Sequence, residues 1–424
     1  MRKQLFLVLL ALPLLIFGQQ KANYDLAARF SPKKLDKMIF SLSVDPHWLK
    51  QSNKFWYVYE TSEGKQWMIV DPVKNEKKVM FDKEQLAASL TRIIKDPFDA
   101  QHLPIDSLKF IKDENWIQFE VKSSIDIDKP GAKKDAKAEK IKKVFYFEYN
   151  LATAQLNELV GFTKPKRKPS WANISPDQSK VVFGRNYNLY YMDKANYEKA
   201  LINEEDSTIV ETAITKDGLQ NFSWHSEGGA GGETNVDIEK NKNKRKPVFG
   251  YWSENSKQLA IVKVDNSKVK DLWVINSIAD PRPTLETYKY WMPGEKEAPV
   301  DHLMLVDMVN YSHKEINVSQ YKDQDIALWN KSAAVNARDD EFKPMIWLGT
   351  NEQLYLARTS RDLKKIDQCV VNTTTGEVKV LVAESMNTSI EIKKPELIKN
   401  GSELIEWSER DGWAHLYLYD GQGK

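Results

Sequence analysis

The 424-residue chain contains a single cysteine, Cys369, so no internal disulfide can form. Cys369 lies in the strand-like run Gln368-Cys369-Val370-Val371, where a buried, inert thiol is expected. Histidine is sparse as well. The six histidines are scattered, and none forms His-x-x-x-His beside a glutamate, so no metal site is expected. An excess of one charge is also missing: 62 Lys and Arg face 60 Asp and Glu, interspersed, which leaves no footprint for nucleic acid or an anionic membrane. No Gly-x-Ser-x-Gly elbow occurs, because the only glycines four apart, Gly228 and Gly232, flank Ala230. The same glycine cluster lacks the Lys-Ser/Thr of a phosphate-cradling loop, so no cofactor is expected. Ser226 beside His225 does not make a triad, since adjacent residues cannot aim a hydroxyl and an imidazole at each other.

Long apolar runs are confined to the beginning. Arg2 and Lys3 precede an uninterrupted apolar stretch from Leu5 to Phe17, followed by Gly18. This is the pattern of a secretory signal peptide over residues 1–18, too short to span a bilayer comfortably, and it implies a secreted or periplasmic chain with no membrane attachment after cleavage. No cysteine follows the run, which excludes a lipoprotein anchor there. Export without disulfides fits a bacterial envelope. A mean hydropathy of −0.56 argues against multiple membrane spans.

What is abundant is the vocabulary of strands: 13 Trp and an aromatic content of 11% suit side chains stacked between sheets. Helical periodicity is clear only over Lys83 to Ile94, where Leu86, Leu90, Ile93 and Ile94 share one face. Elsewhere one module recurs, a strand, a polar turn and a return strand. The first copy is Phe55-Trp56-Tyr57-Val58-Tyr59, a turn at Ser62-Glu63-Gly64, and Gln66-Trp67-Met68-Ile69-Val70; others begin near Phe110, Val181, Leu259, Leu354 and Leu404. The spacing predicts four-stranded blades with insertions, hence an all-β, incomplete β-propeller of roughly six or seven antiparallel blades over residues 19–424. Lys129 to Lys143 and the basic run Lys164 to Lys168 read as solvated insertions. Ser226 to Asn243, glycine-rich and then charged, reads as an exposed, poorly ordered loop. At the far end, His415 to Tyr419 alternates as a strand and Asp420-Gly421 supplies a hairpin turn, so the sequence stops as an unfinished hairpin, the mark of a chain truncated at its C-terminus.

The string Trp407-Ser408-Glu409-Arg410-Asp411-Gly412-Trp413-Ala414-His415-Leu416-Tyr417 closely resembles the signature near the end of the propeller in dipeptidyl peptidase IV-like serine peptidases, members of the prolyl oligopeptidase clan. Three more segments resemble the same family: Ser175-Pro176-Asp177 and Tyr251-Trp252-Ser253-Glu254-Asn255-Ser256-Lys257 as blade-opening turns, and Arg282 to Tyr290 with Met292-Pro293-Gly294 as a connecting segment. The resemblance covers most of the mature chain and is nearest to bacterial secreted members. It implies peptide substrates, a Ser-His-Asp triad on a C-terminal α/β-hydrolase domain that is absent here, and, as an open alternative, a homodimer. This chain is then the gating and positioning propeller of an exopeptidase and is itself inactive. The competing reading is a stand-alone propeller that binds peptides or proteins.

In this family a pair of adjacent propeller glutamates holds the substrate's free amino terminus, and two carboxylates away from water suit an ammonium through charge-assisted bonds. Glu204-Glu205 is the conspicuous pair, but it precedes the turn Asp217-Gly218 that the family places ahead of its clamp. Beyond that turn Trp224 fits the family's aromatic and Glu227 the first clamp glutamate, while the second position is Gly228. Three readings follow: Glu227 binds an ammonium alone, Glu233 supplements it, or the loop is solvent-exposed and idle.

Overall fold

The computed structural model describes residues 22–35, 38–128, 140–164, 168–227, 233–332 and 342–424. The signal segment expected at residues 1–18 and the cluster Gly228–Gly232 lie outside them. Strand makes up 42% of the structure and helix 11%, in a six-blade β-propeller arrangement, so the all-β propeller class expected from the aromatic, alternating sequence holds. The chain divides into two compact units, one drawn from Met1–Lys164 and the other from Pro165–Ala333 and Phe342–Lys424.

The first unit carries two four-stranded antiparallel sheets. One is Phe55–Thr61 and Gly64–Asp71 flanked by His47–Trp48 and Glu76–Val79; the other is Ile105–Ile111, Trp116–Asp128, Lys140–Asn150 and Leu156–Glu158. Lys140–Lys143, which charge alone assigns to a solvated insertion, extends a long ladder instead: Ile141 pairs Ile127 and Lys140 pairs Asp128. Pairing across a long hairpin needs only backbone groups, so a charged composition does not forbid it. The predicted helix Lys83–Ile94 is present. Asp82 caps it by accepting the Glu84 and Gln85 N–H groups at 2.9 and 3.0 Å, and Lys95 ends it in the left-handed region at φ 63°. Its buried Leu86, Leu90 and Ile94 join Trp67, Phe81, Phe110, Phe119 and Phe147 in one core.

The second unit carries four sheets. The third in the chain is built on the hairpin Lys180–Arg185 and Asn188–Asp193, and the fourth on Gln258–Asp265 paired with Val300–Asp307. A two-stranded arm, Asp271–Asn276 with Thr284–Lys289, is inserted between those last two strands. The fifth sheet centres on Gln353–Thr359 and Lys365–Asn372, and the sixth is the three strands Glu396–Ile398, Glu403–Ser408 and His415–Asp420. His415–Asp420 pairs with Glu403–Ser408 along its whole length. Neighbouring sheets share cores: Val182 and Leu189 of the third meet Trp252, Leu259 and Ile261 of the fourth, and Leu303 and Leu305 of the fourth meet Leu356 and Cys369 of the fifth. A buried amide ties the third to the fourth. Asn173 accepts the Trp252 indole N–H at 2.8 Å and donates to the Gly250 carbonyl at 2.9 Å.

The recurring Ser-x-Asp/Asn turns have one geometry. Ser175 donates to Asp177, Ser253 to Asn255 and Ser360 to Asp362 at 2.6 to 2.8 Å, and each serine oxygen then accepts the N–H five residues on. Among the described residues four helices have no expectation behind them, Tyr24–Arg29, Pro32–Leu35, Lys194–Ile202 and Asn235–Lys240.

Candidate functional site

The site is built on the loop that leaves the third sheet. Asn188 anchors its start, its side-chain oxygen accepting the Thr215 hydroxyl at 3.1 Å and the Gly218 N–H at 2.9 Å. Leu219 and Phe222 exchange backbone hydrogen bonds, which turns the chain at Asn221, a residue at φ 65° of the kind that tolerates the left-handed region. The Asn221 carbonyl accepts the Asn266 N–H at 2.7 Å, and the Trp224 N–H reaches the Tyr187 carbonyl at 2.9 Å. Both flanks of the loop are thus hydrogen-bonded to chain at strand ends, Tyr187 in the turn between Lys180–Arg185 and Asn188–Asp193 and Asn266 just after Gln258–Asp265.

Glu227 follows directly. One carboxylate oxygen, Oε2, accepts the Asn221 backbone N–H at 2.7 Å, and Oε1 is buried with no hydrogen-bond partner among the described residues. Burial drives its carboxyl up to about 7, against the Asn221 N–H and the Ser223 hydroxyl, which favour the ionised form. Beyond Gly228–Gly232, which lie outside the described residues, residues 233–243 are not the poorly ordered loop that composition suggests. Trp224 and His225 are buried, and residues 233–243 include the helix Asn235–Lys240, closed by a Thr234–Asp237 capping box and tucked in through buried Ile238. The capping box and the single apolar anchor Ile238 together order this segment.

Glu233 has a different surrounding. Both of its oxygens face the Lys246 ammonium, and Asn241 donates to one of them at 3.2 Å. Its charge nevertheless adds to the upward push on Glu227. Around the pair, the Tyr187 hydroxyl donates to Glu239 at 2.6 Å, and burial together with that bond raises the phenol above its ordinary range. His225 donates from Nδ1 to the Ser226 carbonyl at 2.9 Å, which leaves Nε2 as the unprotonated nitrogen of a neutral ring, buried and unpartnered among the described residues. Burial holds this imidazole below its usual range. The Ser226 hydroxyl makes no bond to His225; it points to the Glu227 carbonyl at 3.5 Å. Glu204 and Glu205 are exposed, and Glu204 accepts the Trp171 indole N–H at 3.3 Å.

Glycine decides how close the loop can come. A Cβ on Gly184, in the strand Lys180–Arg185, would lie 2.2 Å from the His225 Cβ, so only glycine lets the His225 segment lie against that strand.

A second group of buried acids was not anticipated. Glu406 of the sixth sheet is 3% exposed, accepts the Gln368 amide at 3.2 Å through one oxygen, and is pushed by burial to about 7. Nearby Glu384 holds the Arg410 guanidinium. Asp301, pushed by burial to about 6, accepts the Ile326 N–H at 2.8 Å. The sequence did carry a signal for Glu406, since Leu404, Glu406 and Ser408 alternate on the core face of one strand. Among the described residues no group of three or more His, Cys, Asp or Glu could hold a metal ion.

A propeller whose sheets share Trp-rich cores, with a half-buried glutamate on a pinned loop, is the class of molecule these features define. Residues 248–424 match the family described as the dipeptidyl peptidase IV (DPP IV) N-terminal region, so over that stretch, the fourth to sixth sheets, the chain is similar to a dipeptidyl peptidase IV-like N-terminal propeller region, as the sequence motifs implied. The structure is also similar to the crystal structure of Porphyromonas gingivalis dipeptidyl peptidase 4, at 15% sequence identity and a TM-score of 0.46 over 96% of this chain and 48% of that one. A putative dipeptidyl aminopeptidase IV from Bacteroides ovatus is similar at 16% identity and a TM-score of 0.42, over 90% of this chain and 44% of that one. The chain therefore spans about half the length of these structures. Glu227 lies before the matched stretch.

Proposed function

We propose that this chain is the substrate-positioning propeller of a secreted or periplasmic dipeptidyl peptidase IV-like serine peptidase, in which Glu227 receives the ammonium of a peptide's free amino terminus. Hydrolysis belongs to a C-terminal α/β-hydrolase domain of the full-length protein, as the family resemblance implies. One observation carries the reading: the Oε1 of Glu227 is buried and unpartnered among the described residues while Oε2 is held by a backbone N–H. A buried carboxylate with one free oxygen is costly to leave empty, and an ammonium placed there gains a charge-assisted bond in a poorly hydrated setting. Gly228 supplies no second carboxylate and Glu233 is already engaged by Lys246, so the reading gives Glu227 the role alone. The site then favours short peptides with a free amino terminus.

The test is calorimetric titration of this chain with a tripeptide and with its N-acetylated form. Glu227→Ala should weaken binding of the free peptide by about 1.5 to 3 kcal/mol, a charge-assisted bond, and leave the acetylated one nearly unchanged. Equal losses on both ligands, or none on either, would remove Glu227 from the site and leave a general peptide-binding module.

A further inference from the structure

Lys263 lies on Gln258–Asp265, on the same strand face as the core residues Leu259 and Ile261, and its side chain is 1% exposed. An ammonium in such a register is costly unless its surroundings replace water. Here they do so with loop residues. Nζ sits 3.6 Å from the centre of the Phe222 ring, 4.9 Å from that of Trp224, and 3.6 Å from Asp217 Oδ2. Asp217 also accepts the Trp224 indole N–H at 2.8 Å and lies 3.8 Å from His313 Nε2, while His302, opposite Lys263 in the ladder, packs on Phe222. Every loop residue that Lys263 touches lies within ten positions before Glu227, and the Asn221 N–H that holds the Glu227 carboxylate is next to Phe222. Leu259 and Ile261 show that an apolar side chain would have served packing on this face equally well.

We infer that Lys263 is the positioning residue of the Glu227 loop: its buried ammonium, clasped by Phe222, Trp224 and Asp217, fixes the Asn221 turn and thereby the place of the Glu227 carboxylate. This rests on the reading of Glu227 as the ammonium site, and the test separates the two. Lys263→Met keeps the volume and removes the charge, and because the Asp217 side chain is 50% exposed the carboxylate left behind is solvated rather than stranded in the core. Melting temperature and circular dichroism close to wild type are the control for folding; if Lys263→Met fails it, Phe222→Leu, which removes one ring face, and Asp217→Asn take its place.

Titration with the free and acetylated tripeptides then reads the role. Lys263→Met should weaken the free peptide about tenfold, the acetylated peptide by less than about twofold, and add nothing in a Glu227→Gln background, because the lost contact is the one that Glu227 makes. Losses that are equal for both peptides, or that add fully to those of Glu227→Gln, would overturn the positioning role and leave Lys263 a structural residue. If wild type distinguishes no free peptide, the Glu227 reading fails on its own, and limited proteolysis decides for Lys263. Faster cleavage between residues 217 and 227 in Lys263→Met upholds the clasp, and an unchanged rate overturns it.

Discussion

At the scale of single residues, the site depends on groups that are held rather than merely present. Glu227 titrates near 7 because burial outweighs the Asn221 N–H, so at neutral pH an arriving ammonium must displace a proton. Affinity for a free-amino peptide should therefore rise between pH 5.5 and 7.5, roughly tenfold per pH unit well below the carboxyl's pKa, and fall again as the peptide's α-amino group, near pKa 8, deprotonates. Calorimetry across that range checks it, and a flat profile would mean that the carboxyl is already ionised. Gly184 sets the second requirement. Gly184→Ala places a methyl where His225 stands, 2.2 Å from its Cβ, and the imidazole must move and carry the adjoining Ser226-Glu227 segment with it. Overpacking of this kind costs about 1 to 3 kcal/mol. Chemical denaturation should show that loss, with a parallel loss of free-peptide binding; wild-type values in both would show that the loop is not seated on this strand.

At the scale of elements, regular structure was legible wherever one pattern dominated. Lys83 to Ile94 is legible from its apolar face at helical spacing, and the structure adds the Asp82 N-cap; Asp82→Ala should cost the helix about 1 kcal/mol in thermal unfolding. The strand modules near Phe55, Phe110, Val181, Leu259, Leu354 and Leu404 each fall in one of the six sheets for the same reason. Where local chemistry and composition disagreed, the reading went astray. Glycine and charge at residues 226–243 concealed a capped helix, and lysines at 140–143 concealed strand pairing. Of the candidate site, the family resemblance singled out Glu227 beyond the Asp217-Gly218 turn and Trp224, whereas Lys263, Asn221 and Lys246 come to this loop from distant positions or through the backbone, which no local spacing encodes. The arm Asp271–Asn276 with Thr284–Lys289 leaves Trp273 71%, Ile275 70% and Leu285 58% exposed. Apolar side chains of this size clustered on a two-stranded ribbon are what an interaction surface presents.

For the molecule as a whole, the dependence of stability on pH is set by how its carboxyl groups are buried. Its response to pH follows from three buried acids of the second unit, Glu227 and Glu406 near 7 and Asp301 near 6. Each keeps its proton in the folded state at a pH where the unfolded chain, with ordinary carboxyls near 4 to 4.5, has already released it. The folded state then binds more protons, so stability falls as pH rises. The contribution is whole below about pH 4 and is lost as pH passes through 6 and 7, at most about 1.4 kcal/mol per pH unit for each group. Carboxylates held below their ordinary range, Asp217 and Asp177 among them, act in the opposite sense, but only below about pH 4. The unfolding transition of this unit should therefore lie higher at pH 5 than at pH 8. Glu406→Gln, which keeps the amide bond to Gln368 within reach and cannot ionise, should raise the transition at pH 8 and leave it nearly unchanged at pH 4. A variant that moves the transition equally at both values would show that Glu406 is ionised throughout, with its charge already compensated by Arg410.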